Sequence, residues 1–538
     1  MGSGSPKFGC QAGRLRYWFP ARAGLFGKRS VNLLTDRFLS VDDGRWLSLP
    51  ELFAALARGE VQAFPRLRAH QRTAWHMFRV QLAALALDRA GRTDLPEAAE
   101  DWAALLRALS AAENGAEGDA PWCLAVPDRA KPAFLQPPDP GGLKWNEVRT
   151  PDALDLLITA RNHDLKAAVA ADAAPEDWIY ALISLQTMEG YGGKSNYGIA
   201  RMNGGSSSRP FLGLVPTRGD GAPDMSAWWR RDVERLLAHR SDPGPLTRGG
   251  PALLWCRPWP EGRSLPATAM DPWAIEVCRR VRLAATPAGL RAERTGSAAA
   301  RIDAKAFSGV LGDPWAPVKI DEPTPKALTL GEGRFDYRRL VELLLSGKWE
   351  IPLAARLAAD ENADRMLLLA EALSRGNSKT DGLKSRFVPL PRKVVARGRF
   401  SGQAEAFASA ARKQMQEITS ADAALREAVA LYAADGDFEK VGKEERQRAG
   451  PARARLDAAA DEAFFDHLWD RADPETEETA RARFCALLVG AATRELERAF
   501  AAIPCAALFA ARARVRARRR LGNALRKAEL LEPEAADA

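Results

Sequence analysis

A glycine-rich segment is the part of this sequence that comes closest to a chemical motif. Its residues, Gly190-Tyr191-Gly192-Gly193-Lys194-Ser195, end like a loop that binds nucleotide phosphates. Such a loop has a glycine five positions before its Gly-Lys pair, where this chain has Met188, and it follows a strand, whereas residues 178–188 are predicted to form a helix. The pattern therefore disfavours nucleotide hydrolysis. It predicts instead a glycine-rich turn beside a cation, whose backbone can approach a nucleic acid closely because no Cβ intervenes.

Other catalytic patterns are weak. None of the five histidines has the spacing of a metal-binding pair such as HExxH, and no GxSxG nucleophile motif stands out. The one His-Asp dipeptide, His163-Asp164, is interpreted as a hydrogen-bonding histidine in a polar turn rather than as a fragment of a metal-dependent nuclease. Six cysteines lie far apart without a CxxC pair, which indicates reduced thiols. We therefore predict no enzymatic activity, no cofactor and no bound metal.

A basic helix is predicted close to the end of the chain. Eight cations crowd its sixteen positions from 512 to 527: Arg512, Arg514, Arg516, Arg518, Arg519, Arg520, Arg526 and Lys527. At about 100° per residue, one cationic ridge contains Arg512, Arg516, Arg519 and Arg520. The predicted packing arc beside it consists of Leu508, Ala511, Val515, Leu521 and Leu525. No acidic residue occurs between positions 512 and 527, so the ridge is expected to be available for phosphates, although a merely solvated face remains the alternative.

Composition and charge favour a soluble protein with a polyanionic partner. The chain has 538 residues, of which 46% are hydrophobic and 27% charged, and its formal net charge is +9. No uninterrupted apolar run of about 18 residues appears, and the start of the chain lacks the apolar region of a signal peptide. We expect a cytoplasmic protein that makes no contact with a membrane.

The elements that must position these residues fall into two regions. Residues 1–30 show no clear periodicity and are interpreted as an N-terminal extension. Short strands mixed with helices follow over residues 31–394, including a first helix that Ser48 is expected to cap. From about residue 395 the strand signal disappears, and residues 395–538 contain four helical stretches, at 402–434, 451–471, 474–502 and 504–531. The predicted fold class is α+β, with a large mixed body followed by a C-terminal four-helix bundle.

Several short strings occur in an order and spacing that resemble one known family. They are Asn32-Leu33-Leu34-Thr35-Asp36, Phe134-Leu135-Gln136, Gly190-Tyr191-Gly192-Gly193, Glu276-Val277-Cys278-Arg279-Arg280, Lys305, Gly312-Asp313-Pro314-Trp315 and Arg375-Gly376-Asn377-Ser378-Lys379-Thr380. Together they resemble the large subunit, CasA, of type I-E Cascade, the CRISPR RNA-guided surveillance complex. The resemblance extends from about residue 31 to residue 531, and the collinearity of the strings is its specific signal.

The resemblance implies a recognition subunit that does not cut nucleic acid. In that family the large subunit recognises the protospacer-adjacent motif (PAM) on double-stranded DNA and helps to start strand separation. It also recruits a trans-acting helicase-nuclease. The implied partners are the crRNA-containing Cascade subunits, double-stranded target DNA and that effector. Some relatives have a cysteine cluster in the body that this chain lacks, so no zinc is expected.

The resemblance also assigns residues to roles. Gly190, Gly192 and Gly193 correspond to a glycine loop that lies near the minor groove beside the PAM, with Lys194 as a nearby phosphate contact. Lys305 corresponds to a PAM-contacting finger.

Two further assignments concern the wedge and a loop near the guide RNA. Within the segment that resembles a wedge hairpin splitting the first base pairs, Asn377 and Lys379 are the expected contacts. A loop near the PAM and the crRNA 5′ end corresponds to residues 162–166, with Asn162, His163, Asp164 and Lys166 as its polar residues.

Two alternatives remain open from the residues alone. One is a nucleotide-dependent enzyme that uses the glycine-rich loop 190–195 on phosphates. The other is a scaffold whose basic C-terminal helix binds only RNA or protein neighbours.

Overall fold

The computed structural model describes residues 31–114, 118–156, 173–198, 208–287, 289–331, 333–358, 361, 366–376, 379–390, 404–473 and 475–532. The predicted extension, residues 1–30, lies outside these ranges. The mixed body contains helices α1 (Leu49–Ala57), α2 (Arg72–Arg89), α3 (Ala99–Asn114), α4 (Pro175–Met188), α5 (Met225–Ala238) and α6 (Tyr337–Leu345). The C-terminal region contains α7 (Ala404–Ala433), α8 (Lys443–Gln447), α9 (Gly450–Arg471), α10 (Glu477–Ala502) and α11 (Ala507–Lys527).

Thirteen strands lie among the described residues of the body. They are β1 (Leu39–Ser40), β2 (Trp46–Leu47), β3 (Asn146–Val148), β4 (Phe211–Pro216), β5 (Leu265–Pro266), β6 (Arg280–Thr286), β7 (Gly289–Thr295), β8 (Ile302–Asp303), β9 (Val318–Lys319), β10 (Lys326–Ala327), β11 (Trp349–Glu350), β12 (Met366–Gly376) and β13 (Lys379–Leu390). Two three-stranded antiparallel sheets position the candidate site, in the orders β3-β7-β6 and β13-β12-β4. The α+β class predicted from the sequence is confirmed.

Local sequence signals explain where several helices begin. At the start of α1, the Ser48 hydroxyl accepts the Glu51 N–H at 3.4 Å, and the Glu51 carboxylate accepts the Ser48 N–H at 2.9 Å. This reciprocal pair satisfies two N–H groups that the first turn would otherwise leave without partners. The expected capping by Ser48 is therefore confirmed.

The β13-β12-β4 sheet lies between two apolar clusters. Along β12, Leu369 and Leu373 belong to a cluster of the body, whereas Leu368, Ala370 and Ala372 belong to a cluster shared with the C-terminal helices. Successive side chains of a strand point to opposite faces, so one face of the sheet packs on the body and the other on the helices.

The C-terminal region is the four-helix bundle that the sequence predicts. Its long helices are α7, α9, α10 and α11, and α7 contacts each of the other three. The predicted boundary between residues 394 and 395 lies outside the described residues and stays a prediction. In the described parts of the chain, no helix is long and apolar enough to cross a membrane.

Candidate nucleic-acid interface

The glycine-rich segment forms a compact loop at the C-terminal end of α4. The helix ends at Met188, and the loop then closes on itself, because the Gly192 N–H donates to the Asn196 carbonyl and the Asn196 N–H donates to the Gly193 carbonyl, both at 3.0 Å. Gly193 has φ +95°, a conformation that side chains other than glycine rarely adopt. We call residues 189–198 the glycine loop.

One buried guanidinium joins the two arms of the glycine loop. Arg279 Nη2 donates to the Gly190 carbonyl at 2.6 Å on the outgoing arm, and Arg279 Nη1 donates to the Gly198 carbonyl at 2.7 Å on the returning arm. The same Nη1 donates to the Cys278 carbonyl at 3.0 Å, and Nη2 lies 3.7 Å from the Glu189 carboxylate. The loop is thus held at its base by a planar fork of donors.

Close packing at the base of the loop depends on two more glycines. A Cβ built on Gly198 would lie 2.3 Å from the Cys278 carbonyl oxygen, and one built on Gly296 would lie 2.6 Å from Ser195 Cβ. The Ser297 N–H donates to the Ser195 carbonyl at 2.9 Å, so the residues that follow β7 support the far side of the loop. The sequence reasoning missed both positions, since a glycine shows a close approach only when its neighbour is known.

The tip of the loop presents a phenol and an ammonium group to solvent. The Tyr191 side chain is 42% exposed, and its ring centroid lies 6.3 Å from that of Tyr197. Lys194 is exposed and forms no ion pair with any described residue. Arg294, two residues before Gly296 on β7, is likewise exposed and unpaired within the described part of the chain. The geometry therefore combines exposed backbone with unpaired cations, a combination suited to a polyanion.

The loop does not have the architecture of a nucleotide-phosphate loop. It follows helix α4 rather than a strand, as the sequence indicates, and residues 195–198 beyond the Gly-Lys pair are not helical. A phosphate-binding loop of the P-loop class requires a strand before it and a helix after it.

Lys305 lies in a turn that follows, along the chain, the residues that support the glycine loop. It begins a single 3₁₀ turn, Lys305–Phe307, one residue after the end of β8, and its side chain is exposed without an ion pair to described residues. Ser308, with φ +49°, ends the turn. In chain order, Gly296 and Ser297 come first, then β8, and then this turn.

The Gly-Asp-Pro-Trp string has a structural role that the sequence does not reveal. Asp313 forms a buried bidentate pair with Arg209, with one Nη2···Oδ1 distance of 2.7 Å, and also accepts the Trp315 N–H at 3.1 Å. The Arg209 backbone N–H donates to the Met188 carbonyl at 3.0 Å, at the last residue of α4. The string is therefore tied through Arg209 to the start of the glycine loop.

The predicted wedge lies at the tip of a long hairpin. Strands β12 and β13 pair from Met366↔Leu390 to Gly376↔Lys379, with a register shift at Ser374/Arg375. Asn377 lies outside the described residues, and Lys379 is the first residue of β13. Four further predicted contacts lie outside the described residues: Asn162, His163, Asp164 and Lys166.

The packing face of the basic C-terminal helix agrees with the predicted arc at Leu521 and Leu525 and differs from it in the first half of the helix. Its buried residues are Ala513, Ala517, Leu521 and Leu525, whereas Leu508 is 85% and Val515 63% exposed. The predicted arc was wrong for Leu508, Ala511 and Val515, because small residues allow the helix to approach the end of α7 closely. A Cβ on Gly436 would lie only 2.9 Å from the backbone of Ala513.

The cations of α11 differ in their partners. Arg512 Nη2 donates to the Asp435 carbonyl at 3.3 Å, and Arg516 Nη1 donates to the Gly436 carbonyl at 2.7 Å. Arg518, which is not part of the predicted ridge, pairs with Glu497 of α10 at 2.7 and 2.8 Å, an acidic partner from outside the segment 512–527. The side chains of Arg519 and Arg520 are exposed and form no ion pair or hydrogen bond with described residues. These two are the cations of the ridge that a phosphate can engage without displacing a partner.

A buried polar pair elsewhere in the body joins His76 to Asp232. His76 stacks on Trp228 with ring centroids 3.6 Å apart, and its Nε2 lies 2.9 Å from Asp232 Oδ2. Burial lowers the pKa of His76 to about 4, against the opposing effect of Asp232. Within the described residues, no group of three or more His, Cys, Asp or Glu side chains is arranged to hold a metal ion.

Comparisons with known proteins identify the fold. No protein-family model matches the chain, and no curated protein matches it in sequence. The solved structure of CasA from Thermus thermophilus matches with a TM-score of 0.63 at 16% identity, covering 93% of this chain and 100% of that chain. Cse1 from Thermobifida fusca matches with a TM-score of 0.61 at 16% identity, covering 93% and 98%. The CRISPR-associated protein Cse1 from Acidimicrobium ferrooxidans matches with a TM-score of 0.60 at 17% identity, covering 93% and 99%. Over 93% of its length, therefore, this chain has the fold of CasA and Cse1 proteins.

Proposed function

We propose that this chain is the large, non-catalytic subunit of a type I-E CRISPR Cascade complex in the cytoplasm. The observation that carries the proposal is the match to CasA and Cse1 structures, in which each solved chain is covered almost completely. The collinear strings of the sequence support the same proposal independently of the fold. The proposed partners are the crRNA-containing Cascade subunits, double-stranded target DNA and a helicase-nuclease.

In this proposal the glycine loop approaches the minor groove beside the PAM. The minor groove is about 6 Å wide, so it admits backbone and slender side chains more readily than bulky ones. Gly192 and Gly193 bring backbone to the exposed tip, and Lys194 supplies a cation for a neighbouring phosphate. Base pairs are poorly distinguished in the minor groove, so we expect several PAM sequences to be accepted.

Lys305 and the β12–β13 hairpin would complete the recognition of the duplex. Lys305 is an exposed lysine without an ion pair to described residues, as a PAM-contacting finger requires. The hairpin is paired over a long stretch, from Met366↔Leu390 to Gly376↔Lys379 with one register shift at Ser374/Arg375, which supports its proposed role as a projecting wedge. Asn377 and Lys379 remain the proposed wedge contacts.

The basic ridge of α11 is proposed to hold phosphates irrespective of sequence. Arg519 and Arg520 support this role, because their charges are not neutralised by described residues. Arg512 and Arg516 keep their positive charge while donating to backbone carbonyls, so they contribute to the same field.

The proposal is tested by measuring binding of duplex DNA to the complex of crRNA and the other Cascade subunits, with and without this chain. Targets that match the guide are presented with a PAM and with the PAM sequence scrambled. We expect tight binding only when both this chain and the PAM are present. Lys305→Ala should reduce the preference for the PAM, whereas Lys326→Ala, a control lysine already paired with Glu322, should not.

Other outcomes would indicate a different function for the chain. Equal binding of both targets with and without the chain refutes PAM recognition and favours a scaffold that binds RNA or protein. ATP hydrolysis by the purified chain that Lys194→Ala abolishes would indicate the nucleotide-dependent enzyme.

A further inference from the structure

We propose that Arg279 is the positioning residue of the glycine loop, holding the two arms of the loop in the conformation that reads the PAM. The DNA-reading part of this inference rests on the proposed function. The positioning part concerns only this chain and can be tested without DNA.

The contacts of Arg279 span both arms of the loop. Its side chain is buried, with 9% exposure, and its two terminal nitrogens donate to Gly190 on one arm and Gly198 on the other. An arginine can hold both carbonyls at once because its donors lie in a rigid plane, whereas a lysine or a glutamine cannot reproduce that fork.

Arg279 is itself fixed to the helix from which the loop emerges. Its backbone N–H donates to Gln186 Oε1 at 2.8 Å, and its carbonyl accepts from Gln186 Nε2 at 2.9 Å. The same Gln186 amide donates to the Leu135 carbonyl at 3.0 Å. The last turn of α4, the start of β6 and the loop base are thus held in one register through a single buried side chain.

Few other backbone hydrogen bonds between described residues hold the loop. Among described residues, its remaining backbone hydrogen bonds are the Gly192–Asn196 and Asn196–Gly193 pairs and the contact of Ser195 with Ser297. Tyr191 and Lys194 are exposed at the tip and contribute little packing. Without the hydrogen bonds of Arg279, a loop with so little buried surface would sample many conformations. DNA binding would then have to order the loop, which lowers the affinity.

The first test measures exposure of the loop by limited digestion of the full chain with a protease that cleaves after lysine. Arg279→Gln should accelerate cleavage after Lys194 at least tenfold. Arg282→Gln is the matched control, since Arg282 is also buried and donates to backbone carbonyls, of Lys131 at 3.1 Å and of Val126 at 3.4 Å, away from the loop. The control should lose comparable thermal stability and leave cleavage after Lys194 unchanged.

A second variant disturbs the base of the loop while keeping Arg279. Gly198→Ala would place a methyl group against the Cys278 carbonyl and separate the arms, so it should also accelerate cleavage after Lys194. If Arg279→Gln does not fold, the rate of cleavage after Lys194 in Gly198→Ala tests the positioning role instead. An unchanged cleavage rate in the folded variants overturns the positioning role.

The second test measures binding by the assembled complex. Arg279→Gln should reduce the preference for a PAM-bearing target at least tenfold and leave PAM-independent binding as in the control. A loosened loop with an intact PAM preference refutes the inference, whereas a wild-type complex without any PAM preference refutes the proposed function instead. In that case the digestion result still decides whether Arg279 positions the loop.

Discussion

The proposed phosphate contacts of α11 predict that the salt dependence of DNA binding depends on two particular arginines. Arg519 and Arg520 are exposed and unpaired within the described structure, whereas Arg518 is paired with Glu497 and lies 5.3 Å from the Phe500 ring centroid. We therefore expect the double variant Arg519→Gln, Arg520→Gln to weaken binding, and Arg518→Gln to have little effect.

The magnitude follows from counterion release. Each phosphate contact on duplex DNA contributes about 0.9 to the slope of log affinity against log salt, so the loss of two contacts lowers the slope by about 1.8. If the affinities of wild type and variant converge at about 1 M salt, this slope corresponds to about 60-fold weaker binding at about 0.1 M.

The assay is a titration of the assembled complex with a duplex that lacks a PAM, from about 0.05 to 0.3 M salt. Arg518→Gln serves as the control because it removes one positive charge from the same helix at a position already paired with Glu497. An unchanged slope in the double variant, or an equal change in the control, would show that the ridge does not bind phosphates and would favour a protein or RNA neighbour at this surface.

Three further predictions concern stability, each measured by urea unfolding. Asp313→Asn leaves the Arg209 charge buried without its anionic partner and should cost about 3–5 kcal/mol; a loss below about 1 kcal/mol contradicts the structural role of the pair. The pKa of His76 falls from 6.5 to about 4 on folding, so the unfolded chain binds more protons below pH 6.5 and this residue should remove about 2 kcal/mol of stability by pH 5. That part of the pH dependence should be absent in His76→Gln. Identical stability profiles of variant and wild type against pH would contradict the lowered pKa of His76. Gly436→Ala combines φ +73° with a clash against the α11 backbone and should cost about 2–4 kcal/mol, while Gly450→Ala, with open space around it, should be nearly neutral.

The helical half of the fold was readable from the sequence because its signals are local. The stretches predicted at 402–434 and 451–471 correspond to Ala404–Ala433 and Gly450–Arg471 in the structure. Apolar periodicity and terminal residues lie within a few positions of each other in the chain, so they need no knowledge of a partner. The same reasoning located the cap at Ser48.

The packing face of α11 was not readable in the same way. Leu508 and Val515 are more hydrophobic than Ala513 and Ala517, yet the alanines are buried. Hydrophobicity alone predicts that Leu508 and Val515 are buried. Because the helix lies so close to Gly436, however, only small side chains fit on the packed face. The face was therefore decided by the shape of the neighbouring helix end.

By itself, the sequence determined the fold class, the four long helices and the position of a glycine-rich turn beside a cation. Only the tertiary structure decided what holds that turn. Arg279 stands 81 positions after Gly198 and 89 positions after Gly190, and no local pattern connects a guanidinium with two backbone carbonyls so distant in the chain. Hydrogen bonds of a buried group depend on which segments meet in space, so the clamp, like the pairing of Arg518 with Glu497, exists only once the chain has folded.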